Sequence, residues 1–377
     1  MDKNILIIAG EASGDMHGAS LIHELRKTSP EYRFTGIGGN KMKAEGMHLL
    51  YHINQMAFLG FAEVVKHLPF IHEVKKKLIE EVIRRNIRTV VLIDYPGFNL
   101  NIAKKLKALG VKIIYYISPQ VWAWGKGRIS KMQTLIDELI VILPFEERFF
   151  SDYGIPVHYV GHPLISQMSS YNYMERSEFF RKNGLDENKR ILLLLPGSRN
   201  QEVKRIFTES IEAAHKIAGE FNMQIVVACA GDIDESLFDR LNPGGVKYKV
   251  VKGQTYELFR YSSAGIIKSG TSTLEAGLSG LPMVVVYSTS PLTYLLGRLL
   301  VKIQMIALVN IVLGQKVVPE LIQKDVNRKT IYKECRKLLT DIILIRSMKS
   351  KYEFLGILLG KENASEKAAE IITKNFV

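Results

Sequence analysis

Ile5-Leu6-Ile7-Ile8-Ala9-Gly10-Glu11-Ala12-Ser13-Gly14-Asp15 opens the chain with an uninterrupted apolar run that stops at a glycine-bracketed turn. An apolar run without alternation is how a strand covered on both faces of a parallel sheet reads. It is too short for the core of a signal peptide. The two glycines let the backbone approach a ligand, and the helix that follows presents its N-terminus there. The same residues also fit a plain tight turn in which Asp15 caps the helix. The turn is neither GxGxxG nor a P-loop, so neither dinucleotide binding nor NTP hydrolysis follows from it.

Outward from this strand the same grammar repeats. Apolar runs at residues 32–37, 88–93, 111–117, 138–142 and 157–160 alternate with helical patterns at 16–27, 71–85 and 100–109. That is βαβ order. Gly161-His162-Pro163-Leu164 closes the first half, and a polar stretch at 166–173 follows. Runs restart at 190–195, 223–229, 246–250, 264–267 and 281–286, with helical patterns at 202–218, 236–241, 256–261, 272–278 and 292–302. From Asn327 onward the pattern is helical, ending in 365–375. The 377 residues suffice for two domains. The predicted fold is α/β, two Rossmann-like doubly wound domains facing a cleft, at residues 1–164 and 165–345. Helices at 346–377 are expected to pack back on the N-terminal domain or on a partner subunit.

Composition narrows the partners. A net charge of +13, from 51 basic and 38 acidic residues, favours anions: nucleotide diphosphates, phosphorylated lipids, acidic membrane surfaces or nucleic acid. The basic residues are spread along the chain and no nucleic-acid motif accompanies them, so no nucleic-acid partner is expected. Cys229 and Cys335 form no CxxC or Cys/His cluster, which argues against a disulfide framework or zinc site and fits a reducing compartment. The longest uncharged stretch, 276–297, approaches the length of a membrane span. Gly277, Gly280, Pro282 and Pro291 break it, and it reads as helix, strand and helix.

Ligands of doubly wound sheets bind at the carboxyl ends of strands, so the loops there carry the chemistry. Ile93-Asp94-Tyr95-Pro96-Gly97-Phe98-Asn99 places Asp94 at such an end. A carboxylate there suits proton removal from an attacking hydroxyl, and equally suits capping the next helix. Ser118-Pro119-Gln120-Val121-Trp122-Ala123-Trp124-Gly125 holds both tryptophans, fit for sugar stacking, for an interfacial lipid contact, or for plugging the core. Leu195-Pro196-Gly197-Ser198-Arg199 suits a phosphate that Arg199 neutralises, although a lone turn of this kind is a weak signal. Lys268-Ser269-Gly270-Thr271-Ser272-Thr273-Leu274-Glu275 is stronger, with backbone N–H groups and hydroxyls converging on an anion. Glu275 either complements the helix dipole or accepts the hydroxyls of a ribose. Met56-Ala57-Phe58-Leu59-Gly60-Phe61-Ala62, edged by His67 and Lys75-Lys76-Lys77, and the leucine-rich 292–309 stretch fit a membrane interface or ordinary amphipathic packing.

Together these loops resemble the lipid-A-disaccharide synthase family. The matching segments are GEASGD at 10–15, LGFAEVV at 59–65, IDYPGFN at 93–99, SPQVWAW at 118–124, VGHPL at 160–164, LPGSR at 195–199, SGTSTLEAGLSGL at 269–281 and VNIVLGQKVVPELIQ at 309–323. They occur in order over most of the chain. The resemblance implies a GT-B glycosyltransferase with an N-terminal acceptor domain and a C-terminal UDP-sugar domain. It implies condensation of UDP-2,3-diacylglucosamine with lipid X to give UDP and a β-1,6-linked tetraacyl disaccharide 1-phosphate. No metal or cofactor is implied. The implied location is the cytoplasmic face of the inner membrane of a Gram-negative bacterium, as a peripheral protein, and a homodimer is permitted.

By the same resemblance Asp94 is the candidate base. Gly14, Arg199, Ser269, Gly270, Thr271, Ser272, Glu275, Asn310, Glu320 and Gln323 are the candidate UDP-sugar contacts. Met56, Phe58, Phe61, Trp122 and Trp124 are the candidate acceptor-lipid contacts. Many family members carry a second acidic residue where this chain has Gly97, a departure that removes a rival to Asp94. A UDP-GlcNAc 2-epimerase, a lipid II glycosyltransferase, a non-catalytic nucleotide-sugar sensor and a nucleic-acid binder are rivals. The Trp loop and 59–65 weigh against the first two, and the joint presence of Asp94, Arg199 and Glu275 against the third. Only net charge favours the last.

Overall fold

A computed structural model of the chain describes residues 3–56, 67–123, 125–231, 233–300 and 304–376. The chain forms two compact units, Met1–Ser166 with Leu359–Val377, and Gln167–Leu358.

The first unit is built on a seven-stranded sheet. Its strands are β1 (Lys3–Ala9), β2 (Tyr32–Gly38), β3 (His48–His52), β4 (Thr89–Ile93), β5 (Lys112–Tyr116), β6 (Glu138–Val141) and β7 (Val157–Tyr159). They lie in the order β3-β2-β1-β4-β5-β6-β7, every pairing parallel. Side chains alternate between the two faces. Ile5, Ile7, Val91, Ile93 and Ile114 pack with Leu21, Ile22 and Leu25 of the helix Ala12–Thr28. Leu6, Ile8, Val90, Leu92 and Ile113 pack with Val74, Leu78 and Val82 of Leu68–Arg84 and with Ile102 and Leu106 of Pro96–Ala108. Both faces are covered, which is why these strands read as unbroken apolar runs.

The second unit repeats the plan. Its strands are β8 (Arg190–Leu195), β9 (Met223–Cys229), β10 (Lys249–Lys252), β11 (Ser262–Lys268), β12 (Met283–Tyr287) and β13 (Glu320–Ile322). Their order is β10-β9-β8-β11-β12-β13, again parallel throughout. The uncharged stretch at 276–297 is divided among the helix Ser272–Leu278, β12 and the helix Pro291–Leu300. No helix among the described residues is long and apolar enough to cross a membrane.

Two edge strands, β3 and β13, lay outside the sequence expectation. The division expected between 345 and 346 falls instead inside the helix Ile342–Leu358. That helix stays in the second unit because Leu355 and Tyr352 close over Gly277, where a Cβ would stand 3.2 Å from Leu355. The chain re-enters the first unit at Leu359, whose carbonyl accepts the His162 N–H at 2.9 Å. The helix Ala364–Lys374 then buries Ala364, Ala368, Ala369 and Ile372 in the first unit's core.

Candidate active site

Each doubly wound sheet has one point where the winding reverses, and ligands bind at the strand ends there. In the first unit that point lies between β1 and β4, paired from Ile5↔Thr89 to Ala9↔Ile93. The turns at Gly10 and Asp94 are thereby neighbours. Gly10 leaves the space that the Tyr95 ring fills; a Cβ there would meet the ring at 2.3 Å. Tyr95 donates its hydroxyl to the Met56 carbonyl at 3.2 Å.

Asp94 and Tyr95 both hold left-handed backbone, φ 42° and 48°. For non-glycine residues this costs about 1–3 kcal/mol and persists only where the surroundings enforce it. Here Asn99 Nδ2 donates to the Asp94 carbonyl at 2.7 Å and the Tyr115 hydroxyl donates to it at 2.5 Å. The following helix is capped by Tyr95 with no side-chain hydrogen bond, so Asp94 is not spent as a cap. Burial, and then the nearby Glu11 carboxylate, push the Asp94 carboxyl up to about 6, against a backbone hydrogen bond from Tyr95. Glu11 stands in the opening turn but carried no role in the sequence reading.

Other first-unit candidates face inward. Gly14 packs the helix Ala12–Thr28 onto β1, with a Cβ position 3.2 Å from that of Ala9. Asp15 does not cap its own helix. Its carboxylate accepts the N–H groups of Gly39, Lys41 and Met42 at 2.7–3.1 Å and so caps the helix Asn40–Ala44. Met56 is a core residue, 1% exposed. Trp122 is buried too. Its Nε1 donates to Glu146 at 3.0 Å and its ring packs edge-on against Phe145, so the loop plugs the core at this residue. Met56 and Trp122 are therefore not lipid-facing. Phe58, Phe61 and Trp124 lie outside the described residues.

In the second unit the winding reverses between β8 and β11, which pair up to Ile267↔Leu195. The turns at Pro196–Arg199 and Ser269–Ser272 therefore adjoin, and they line a pocket of about 630 Å³. Arg199, Ser269, Gly270, Thr271, Ser272 and Glu275 all border it. Arg199 is exposed and forms no ion pair among the described residues. The N–H groups of Gly270 and Thr271 find no acceptor among the described residues, whereas the Ser269 hydroxyl is spent on the Ile306 carbonyl at 2.8 Å. Burial raises the Glu275 carboxyl, with the neighbouring Tyr256 and Ser272 hydroxyls opposing it. Tyr256, Lys268 and Glu202, also at the pocket, were not among the sequence candidates.

Asn310, Glu320 and Gln323 do not join this pocket. Asn310 is fully buried; its amide oxygen accepts from Val317 and Val318 N–H, and its nitrogen donates to the Val318 carbonyl and to Glu320. Glu320 also accepts the N–H groups of Ile306 and Ala307. Gln323 binds both backbone groups of Thr289, at 2.7 and 3.1 Å. Their polar atoms hold loops together. Among the described residues no group of three or more His, Cys, Asp and Glu is arranged to hold a metal ion.

Two α/β units of this winding have counterparts among known structures. The UDP-GlcNAc 2-epimerase from Neisseria meningitidis bound to UDP-GlcNAc matches with a TM-score of 0.68 at 13% identity, over 99% of this chain and 100% of that one. The calicheamicin glycosyltransferase CalG4 matches with a TM-score of 0.64 at 15% identity, over 99% of each. At such identities the likeness is one of fold, and the fold is GT-B. In sequence, the model of the lipid-A-disaccharide synthetase family covers residues 5–375. The lipid-A-disaccharide synthase of Myxococcus xanthus is 38% identical over 98% of this chain and 96% of its own length. That of Nitrosococcus oceani is 39% identical over 94% and 92%. The chain belongs to the lipid-A-disaccharide synthase family, glycosyltransferases of lipid A biosynthesis.

Proposed function

We propose that this transferase moves 2,3-diacylglucosamine from UDP-2,3-diacylglucosamine to lipid X with inversion. The products are UDP and the β-1,6-linked tetraacyl disaccharide 1-phosphate. The observation that carries the reading is the second unit's pocket, where Arg199, open backbone N–H groups and Glu275 stand together as a diphosphate and a ribose require.

Asp94 is the base. Ionised above about pH 6, it takes the proton of the acceptor's primary hydroxyl. That oxygen bonds to the anomeric carbon from the face opposite the nucleotide, and the bonding pair of the breaking bond leaves on the β-phosphate. Arg199 and the N–H groups of Gly270 and Thr271 stabilise the charge that grows there. Glu275 accepts the ribose hydroxyls. No metal or cofactor enters. The +13 charge favours an acidic lipid surface, and the protein works as a peripheral enzyme on the cytoplasmic face of the inner membrane. Phe58, Phe61 and Trp124 remain the acyl-chain contacts of this reading. A homodimer is compatible with it.

Purified protein supplied with UDP-2,3-diacylglucosamine and lipid X should release UDP and form disaccharide in equal amounts. UDP release that does not depend on lipid X would overturn the acceptor assignment. Glu275→Ala should weaken UDP binding about tenfold or more, as loss of a charged hydrogen-bond acceptor does. An unchanged UDP affinity would remove Glu275 from the ribose.

A further inference from the structure

Lys268 ends β11, and Glu202 lies in the first turn of the helix Asn200–Phe221; both border the pocket. Lys268 Nζ stands 2.7 Å from Glu202 Oε1, with the side chains 20% and 17% exposed. The other carboxylate oxygen accepts the Ser198 N–H at 3.1 Å. Gly197, at φ 129°, admits this arrangement because a Cβ would stand 2.6 Å from Glu202 Oε2. The turn that suits a phosphate thus already holds an anion of the protein's own. Burial works against the charge of Glu202, but Lys268 and the Ser198 N–H hold its carboxyl below the usual carboxylate range, so it stays ionised at neutral pH.

We propose that Glu202 is an internal counter-anion that competes with the substrate's diphosphate for Lys268 and for the Ser198 N–H. Lys268 is then a further diphosphate ligand, released from Glu202 when the nucleotide arrives and recaptured when UDP departs. This rests on the reading of the pocket as a UDP site. The physical case is charge balance. A diphosphate beside Glu202 meets a like charge, and Lys268 reaches a phosphate oxygen only by sharing or leaving its carboxylate. The device limits how tightly the product is held.

Calorimetric titration of the full-length protein with UDP and with uridine tests this. Glu202→Gln keeps an oxygen for the Ser198 N–H and removes the charge. It should bind UDP about tenfold tighter, the worth of one charge-assisted hydrogen bond, with uridine affinity unchanged. Lys268→Met should bind UDP about tenfold more weakly, again with uridine unchanged, and the double variant should bind UDP more tightly than Lys268→Met and more weakly than Glu202→Gln. The gain in Glu202→Gln should shrink at high salt. Equal or weaker UDP binding by Glu202→Gln overturns the competition, and so does a parallel change in uridine affinity. Wild-type protein that binds neither UDP nor uridine ends the nucleotide reading of the pocket itself.

Discussion

Asp94, the proposed base, is held in a costly backbone conformation. Its left-handed φ is fixed by Asn99 and Tyr115 acting on its carbonyl, which leaves the carboxylate free of a capping duty. Burial and Glu11 raise it to about 6, which favours proton transfer near neutral pH. Transfer should therefore rise with pH along a limb centred near 6 and level off above it. Asp94→Asn should fold and lose about 10²–10⁴ of the rate, with the limb gone. The stability linkage runs the other way. A carboxyl raised above its unfolded value stabilises the fold below about pH 4, and that contribution is lost as pH rises through about 6. Rates that stay flat from pH 5 to 8 in the wild type, or an Asn variant with substantial turnover, would take the base role from Asp94.

The loop after β5 shows how an element is fixed by a residue that sequence does not mark. Glu146 is buried in the helix Pro144–Ser151 and accepts from the Ser118 hydroxyl at 2.5 Å, Trp122 Nε1 at 3.0 Å and Leu143 N–H at 3.1 Å. Burial pushes its carboxyl up to about 7 against those hydrogen bonds. Its stabilising contribution is complete below the unfolded carboxylate value and is lost as pH rises through about 7. In a Trp124→Phe background, Trp122 emission should titrate with a midpoint near 7, and Glu146→Gln should abolish the titration. A midpoint near 4.5 would show Glu146 to be solvated. The doubly wound plan was legible because doubly covered strands such as β4 and β8 read as unbroken apolar runs. β3 and β13 were not, being short edge strands of which, apart from Leu321, no residue is buried. The pocket's turns were legible because glycine and hydroxyl residues cluster in sequence. The Lys268–Glu202 pair, the Asn310 clasp and the Glu146 anchor were not, since each joins residues that only the fold brings together.

At the scale of the whole molecule, the chain finishes the second unit before it completes the first. The helix Ala364–Lys374 supplies Ala364, Ala368, Ala369 and Ile372 to the core around Leu21, Ile22 and Leu25. Polar ties accompany it: Lys112 Nζ donates to Asn375 Oδ1 at 2.7 Å and Asn363 Nδ2 to Glu24 Oε1 at 3.2 Å. The first unit, which carries Asp94, is thus stabilised by the last residues of the chain, while the proposed nucleotide pocket lies in the other unit. Ile372→Ala should destabilise the first unit by about 2–5 kcal/mol, the usual cost of emptying a fully buried isoleucine site. UDP should stabilise the second unit by mass action. Urea unfolding followed with and without UDP separates the two effects. Ile372→Ala should lower one transition and leave the other responsive to UDP, with UDP affinity in the absence of urea unchanged. A single transition that Ile372→Ala lowers and UDP raises would mean that the two units unfold as one.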